Sequence, residues 1–411
     1  MYQAMTDKQL IKKIPEGGIL TPKGFQCGGV HAGLRYAKLD LGMIVSEKPA
    51  SCAAVYTTSH FQAAPLAVTQ ESIAEEKVLQ AIVVNSACAN ACTGEQGYQD
   101  ALKMRSLAAE KLGIPVHHVA VASTGVIGEY MHMEKIESGI GKLSIGKTAD
   151  DAKDFQTAIL TTDTVMKSCC YTAEIDGVTV SIGGAAKGSG MIHPNMATML
   201  GFLTTDANIS SEYLAAALKD VTNTTFNQIT VDGDTSTNDM VLVMANGTAG
   251  NQSLEPAHPD WPVFIDLLKE SCASLAKQIA KDGEGATKLI EISVTGAMSD
   301  EEARMIGKQI AGSNLVKTAV YGADANWGLI IGAIGQSESS VNPKTVDISL
   351  GEITMLKDST PVTFDEDQAR EYLKRDKIEI FVDLHLGEGK GMAWGCDLSY
   401  DYVKINASYR T

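Results

Sequence analysis

The chain has 411 residues, 34 Lys and Arg against 50 Asp and Glu for a formal net charge of −16, and 44% hydrophobic residues. That length is more than one hydrophobic core organises, so two domains are expected. The acidic balance argues against non-specific nucleic-acid binding, which needs clustered Lys and Arg. No charged-then-apolar leader opens the sequence, and no apolar run approaches the ~20 residues of a membrane span, so a cytoplasmic protein without membrane contact is expected. Eight cysteines show no disulfide spacing, which fits a reducing compartment.

In chain order, Ala81–Asn85 and Val119–Ser123 read as buried strands, and Gln96–Leu112 between them as a helix ending at Gly113. Ser123-Thr-Gly125 then follows a strand end, where backbone amides can point into a site. Tyr171–Ile182 reads as a hairpin turning at Asp176-Gly177. Thr198–Thr205 reads as a strand, Ser210 as the cap of an amphipathic helix, Met240–Ala245 as a buried strand and Trp261–Lys281 as a helix. After Gly285, Lys288–Thr295 reads as a strand, Asp300–Leu315 as a helix, and later strands centre on Ile330, Val346, Ile378 and Val403. Strands and helices are mixed throughout, so the class is α/β or α+β. The polar stretch Asp282–Ala286 is the best boundary between a central and a C-terminal domain.

The most informative segment is Lys187–Asp206: a Gly-rich turn, a Pro-Asn turn, a small residue, then Thr198 entering an apolar strand. Such a chain can cut itself before Thr198. Ala197 hinders attack little, and the turns can hold a strained backbone. The freed α-amine titrates at about 7.7–8.0 and would serve as the base that activates the Thr198 hydroxyl. The bland alternative is that Thr198 only starts a strand. A phosphate loop at Gly183–Gly190 fails on spacing. Cys88 and Cys92 lack a matching Cys/His pair for zinc, so no metal is expected. The run Asp232–Asp239 lacks the bidentate Glu of a calcium loop and reads as a structured turn near the site. His193 reads as structural or positioning, because the base is already the N-terminal amine.

The segment Gly188-Ser-Gly-Met-Ile-His-Pro-Asn-Met-Ala-Thr-Met-Leu resembles the self-cleavage signature of the glutamate/ornithine N-acetyltransferases of arginine biosynthesis. Further stretches resemble the same family in order: Pro22–Phe25, Gly29–Gly33, Ala122–Gly128, Val231–Asp239, Lys281–Lys288, Gly322–Gly328 and Ile405–Thr411. One departure stands at 87–88, Ala-Cys where the family usually reads Gly-Asn. The resemblance implies a sandwich of β-sheets flanked by helices. It implies cleavage between Ala197 and Thr198 into an α chain, 1–197, and a β chain. The β chain would complete the central domain with 198–285 and form a C-terminal domain with 286–411. The two chains would stay interwoven and pair into an α2β2 heterotetramer.

The implied reaction is ping-pong acetyl transfer from N2-acetyl-L-ornithine to L-glutamate through acetyl-Thr198. Thr124 and Gly125 would form the oxyanion hole, and Thr161, Lys187, Thr198, Glu284, Asn406 and Thr411 would bind substrate. Thr162 competes with Thr161 for its place. Read without the resemblance, Ser-Thr-Gly is an ordinary turn and Glu284 a loop charge. No bound cofactor is implied. Acetyl-CoA is a co-substrate of some members, and no residue here decides the matter. Two rivals differ in outcome: a self-cleaving aminopeptidase or amidase passes its acyl group to water, and a binding protein leaves the chain uncut.

Overall fold

The computed structural model describes residues 11–193 and 199–408. In chain order its elements are β1 Lys12–Lys13, β2 Phe25–Val30, β3 Leu41–Tyr56, α1 Ala64–Glu76, β4 Val78–Cys88, α2 Gly94–Leu112, β5 Val119–Val126, α3 Met133–Lys142 and α4 Ala149–Ala158. Then come β6 Lys167–Ile175, β7 Val178–Lys187, β8 Leu200–Thr205, α5 Ser211–Thr224, β9 Met240–Ala245 and α6 Trp261–Lys281. The remainder is β10 Leu289–Ala297, α7 Asp300–Gly312, α8 Asn314–Gly322, α9 Trp327–Ile334, β11 Asp347–Leu350, β12 Ile353–Lys357, β13 Thr360–Pro361, α10 Glu366–Leu373, β14 Lys377–Asp383, β15 Gly389–Cys396 and α11 Tyr400–Ser408.

Local chemistry accounts for many boundaries. Gly113 ends α2 in the left-handed region at φ 65°, where glycine carries no Cβ penalty. Thr148 and Asp151 form a capping box on α4, and Ser210 caps α5. Asp176 and Gly177 both take positive φ between β6 and β7, the pattern of a tight hairpin turn.

The first sheet is layered by a bend in β3. Residues 41–45 of β3 pair with β2 and β4; after a register shift between Val45 and Ala50, residues 51–56 pair with β9. The strand thus passes from one layer to the other. A dry core joins the two inner faces: Ile44, Ile82, Val84 and Ala122 meet Phe202, Leu242 and Met244. The outer face of β4 and β5 packs Val83 and Val121 on α1, α2 and α3 through Val68, Met104 and Ile136. The outer face of β7 to β9 packs Val180, Ile182 and Val243 on α5 and α6 through Leu218, Phe264 and Leu268. The result is a helix–sheet–sheet–helix sandwich. Two parallel pairs, β4–β5 and β8–β9, are each joined through a helix, as parallel pairing requires.

The second sheet runs β13-β12-β11-β14-β10-β15, with helices on its apolar face. It is tied to the sandwich at β15: Trp394 and Cys396 lie in the sandwich core, and Thr230 N–H donates to the Trp394 carbonyl at 3.0 Å. Among the described residues no helix is long and apolar enough to cross a membrane.

Several sequence expectations need correction. Ile330 lies in α9, not a strand; its continuous apolar run carries no period that separates a buried strand from a buried helix. Val403 lies in α11, because the Ser399 hydroxyl accepts N–H groups of Asp401 and Tyr402 and starts a turn of helix. The helix expected over 300–315 is two helices. Ser313 breaks it by capping α8 through Val316 N–H. Val346 directly precedes β11, and the strand read over 198–205 is described from Leu200.

Candidate active site

One row of the sandwich sets the floor of the site. In register, Lys187 at the end of β7 pairs with Leu200 at the start of β8, and Leu200 with Met240 at the start of β9. The end of β5, the 232–239 turn, the Gly283-Glu-Gly285 loop and α11 close around this row. They line a cavity that opens to solvent. Thr124, Gly125, Thr161, Lys187, Glu284 and Asn406 all line it. Six site residues expected from sequence are thus brought together. Thr162 lines it beside Thr161, so the cavity does not choose between the two positions. Ala197, Thr198 and Thr411 lie outside the described residues. Met199, next after Thr198 in the chain, is buried and lines the cavity.

Thr124 and Gly125 owe their placement to close backbone packing. Gly125 pairs with Ala87 in register and sits at φ +131°, a region L side chains rarely adopt. A Cβ there would lie 2.2 Å from the Ala87 carbonyl carbon and oxygen. The Ala-Cys departure at 87–88 therefore lies alongside Gly125. Asn238 fixes the same strand end, its Nδ2 donating to the Ser123 carbonyl at 2.8 Å and the Ala89 carbonyl at 2.6 Å. Lys187 Nζ donates to Thr124 Oγ1 at 3.2 Å. The Thr124 hydroxyl accepts from Lys187 and still has its own proton to donate.

The charges beneath the cavity form a buried network. Lys167 Nζ bridges Asp163 Oδ1 at 2.7 Å and Asp282 Oδ2 at 2.6 Å, with all three side chains buried. Asp163 also accepts Gly188 N–H at 2.7 Å and Thr161 N–H at 3.0 Å, and Arg35 holds the carbonyls of Leu160 and Thr161. Burial alone would raise the Asp163 carboxyl; the Lys187 and Lys167 charges and the Gly188 N–H outweigh it and hold it at about 2. Burial lowers Lys187 below its ordinary range, opposed by Asp163. Asp239 is pushed well above a usual carboxylate by burial, against its Ser236 hydrogen bond and the Lys187 charge, and its Oδ2 has no hydrogen-bond partner among the described residues.

The wall opposite is built by the loop after α6. Glu284 N–H donates to the Ser189 carbonyl, and Asn406 Nδ2 donates to Glu284 Oε2 at 2.8 Å. Gly190 passes so close that a Cβ would sit 2.4 Å from the Glu284 carboxyl carbon. Asp232 accepts Met191 and Ile192 N–H at 2.7 and 2.8 Å, so the acidic run is a structured turn holding the segment before the proposed cut. His193 bonds Thr230 Oγ1 at 2.9 Å, and burial, helped by Lys308, drops it to about 4. Cys88 is buried, donating to the Glu129 carbonyl, while Cys92 is exposed.

Sequence reasoning missed Asp163, Asp282, Asn238 and Asp239 as individuals. Asn238 and Asp239 stand in a quoted motif. Asp163 directly follows Thr161 and Thr162, and Asp282 stands in the quoted Lys281–Lys288 stretch, so the signal was local but the pairing was not.

A model of the ArgJ family matches residues 26–411. The arginine biosynthesis bifunctional protein ArgJ of Geobacillus kaustophilus is 67% identical over 98% of both chains, and that of Bacillus subtilis is 59% identical over 99% of both. A solved structure of the Bacillus halodurans arginine biosynthesis bifunctional protein superposes with a TM-score of 0.51 at 62% identity, covering 52% of this chain and all of that one. The motifs and whole-length likeness agree: the chain belongs to the ArgJ family and is an arginine-biosynthesis enzyme of that family.

Proposed function

We propose that the cavity transfers acetyl groups from N2-acetyl-L-ornithine to L-glutamate through an ester on Thr198, after the chain has cut itself between Ala197 and Thr198. The observation that carries this reading is the convergence of Thr124, Gly125, Lys187, Glu284 and Asn406 on the cavity that Met199 lines.

In the precursor the Thr198 hydroxyl attacks the Ala197 carbonyl. The C–N bond breaks as the C–O bond forms, and the proton passes to the amine. Water then hydrolyses the ester, freeing the Ala197 carboxylate and restoring the Thr198 hydroxyl beside the α-amine already released. In turnover that amine takes the hydroxyl proton as oxygen attacks the acetyl carbon, then passes it to the departing ornithine nitrogen. Glutamate's amine attacks the resulting ester and restores the hydroxyl. Both tetrahedral intermediates carry an oxyanion. The Thr124 hydroxyl, polarised by Lys187, and the Gly125 N–H stabilise it. The Glu284 carboxylate, held by Asn406, receives substrate ammonium groups, and Lys187 a carboxylate; Thr161 and Thr411 complete the pocket.

The same reading takes acetyl-CoA as a second donor, no bound cofactor, an α2β2 assembly and a cytoplasmic setting. Intact-mass spectrometry tests its core. Two fragments, 1–197 and 198–411, with one acetyl on the second after incubation with N-acetylornithine or with acetyl-CoA, are expected. Thr198→Ala should give one uncut, inactive chain. Cleavage with acetate released to water, and none passed to glutamate, would instead make the chain an amidase.

A further inference from the structure

A second cluster of chemically capable side chains lies at the far end of β5 from Thr124. Glu76 is the last residue of α1, and His117 and His118 occupy the turn directly before β5. Their rings meet edge to face, 4.8 Å apart at 87°, which turns both toward Glu76. Glu76 divides its oxygens between them: Oε2 stands 2.9 Å from His118 Nε2 and Oε1 3.4 Å from His117 Nε2. The three ligand atoms lie within 4.8 Å of one another. His117 Nε2 is shielded from solvent and, beyond its 3.4 Å approach to Glu76 Oε1, meets no hydrogen-bond partner among the described residues. On the far side of the buried His118 ring, Nδ1 faces Gln80 Oε1 at 3.4 Å.

We propose that Glu76, His117 and His118 form a binding site for a divalent transition metal, with Zn²⁺ the best match. Two imidazoles and one carboxylate are a zinc ligand set that leaves a fourth position for water. Ligands about 2.0–2.2 Å from a tetrahedral ion stand about 3.3–3.5 Å from each other. The 3.4 Å between Glu76 Oε1 and His117 Nε2 already meets that, while His118 faces the other oxygen, Oε2. The Glu76–His118 contact must open by a few tenths of an ångström, and Glu76, more than half exposed, is free to move. Gln80 accepting from Nδ1–H would leave the His118 Nε2 lone pair for the ion, the usual arrangement behind a metal-bound histidine. An imidazole binds a metal only through an unprotonated nitrogen, so binding weakens as pH falls.

The ion would clamp the end of α1 to the start of β5. The two elements are already stitched about two helical turns away, where Thr69 Oγ1 donates to the Val121 carbonyl at 2.7 Å and accepts Val121 N–H at 2.8 Å. Thr124 stands six residues beyond His118, roughly 20 Å along a strand. Zinc should therefore raise thermal stability without changing transfer activity.

Equilibrium dialysis of the full, untagged protein against Zn²⁺, paired with thermal melts, tests this. One zinc per chain and a zinc-dependent rise in Tm are expected. His117→Ala and Glu76→Gln, both at partly exposed positions, should weaken binding at least tenfold and remove the rise. Cys92→Ser, which deletes the exposed thiol, should leave both intact. Equal zinc binding by wild type and His117→Ala, loss of zinc in Cys92→Ser, or no bound zinc in folded wild-type protein would each overturn the proposal.

Discussion

Thr124 is the residue whose chemistry is most separable from structure. Its hydroxyl accepts from Lys187 and faces the cavity, so removing the oxygen while keeping the branched shape changes little else. Thr124→Val should lower kcat by about 10²–10³ with KM changed only a few fold, because an oxyanion donor acts mainly in the transition state. Thr124→Ser should restore most of the loss. Steady-state kinetics on both variants would decide it; a loss carried by KM alone would make Thr124 a substrate contact instead. Thr124 and Gly125 were legible only through the family resemblance; by themselves they read as an ordinary turn after a strand, whereas β5 in fact runs through them to Val126. Asp163 and Asp282 were not legible. Each looks like a loop acid until folding places both on Lys167.

Two glycines show how elements constrain the site. Gly113 ends α2 with positive φ and open space around it; Gly125 ends β5 with positive φ against the Ala87 backbone. Gly113→Ala therefore meets only the left-handed penalty, about 1–2 kcal/mol. Gly125→Ala adds a backbone collision that no side chain can relieve, and should cost more than Gly113→Ala and abolish activity. Urea unfolding of the two variants, followed by far-UV circular dichroism, gives the comparison; equal losses would mean the β5 end yields easily. Such single-element signals were read well. The hairpin at Asp176-Gly177, the Ser210 cap and the helix Trp261–Lys281 all stand where the residues indicate. The failures fell on α9 and α11, where an apolar run and an alternating pattern are settled by neighbouring contacts.

Across the whole molecule, buried charge joins parts far apart in sequence. Lys167 spans Asp163 and Asp282, and Lys317 in α8 donates to the carbonyls of Val231 and Cys396, tying the second sheet's helices to the turn beside the cavity. The Asp163 carboxyl, ordinarily near 3.8, is held at about 2 in the folded state. A lowered folded value means the stabilisation is complete above the unfolded value and fades as pH falls through the folded one. Wild type should thus lose this contribution between about pH 4 and pH 2. Asp163→Asn should be less stable than wild type at pH 7, with the difference shrinking over that window. Thermal melts from pH 7 to pH 2 read this directly; a constant difference would assign the loss to packing rather than ionisation.

The sequence by itself determined the elements with strong local signals, the family and the short runs that carry the chemistry. Caps, positive-φ glycines, hydrophobic periods and contiguous motifs act over a few residues, so they are written where they work. Tertiary structure decided which runs meet. The bend in β3 stacks two layers of one sheet, the register row Lys187, Leu200, Met240 aligns the cavity floor, and the loop after α6 brings Glu284 and Asn406 to it. It also decided the charges. A carboxylate's or a lysine's protonation depends on burial and on partners a hundred residues away, and neither exists until the chain has folded.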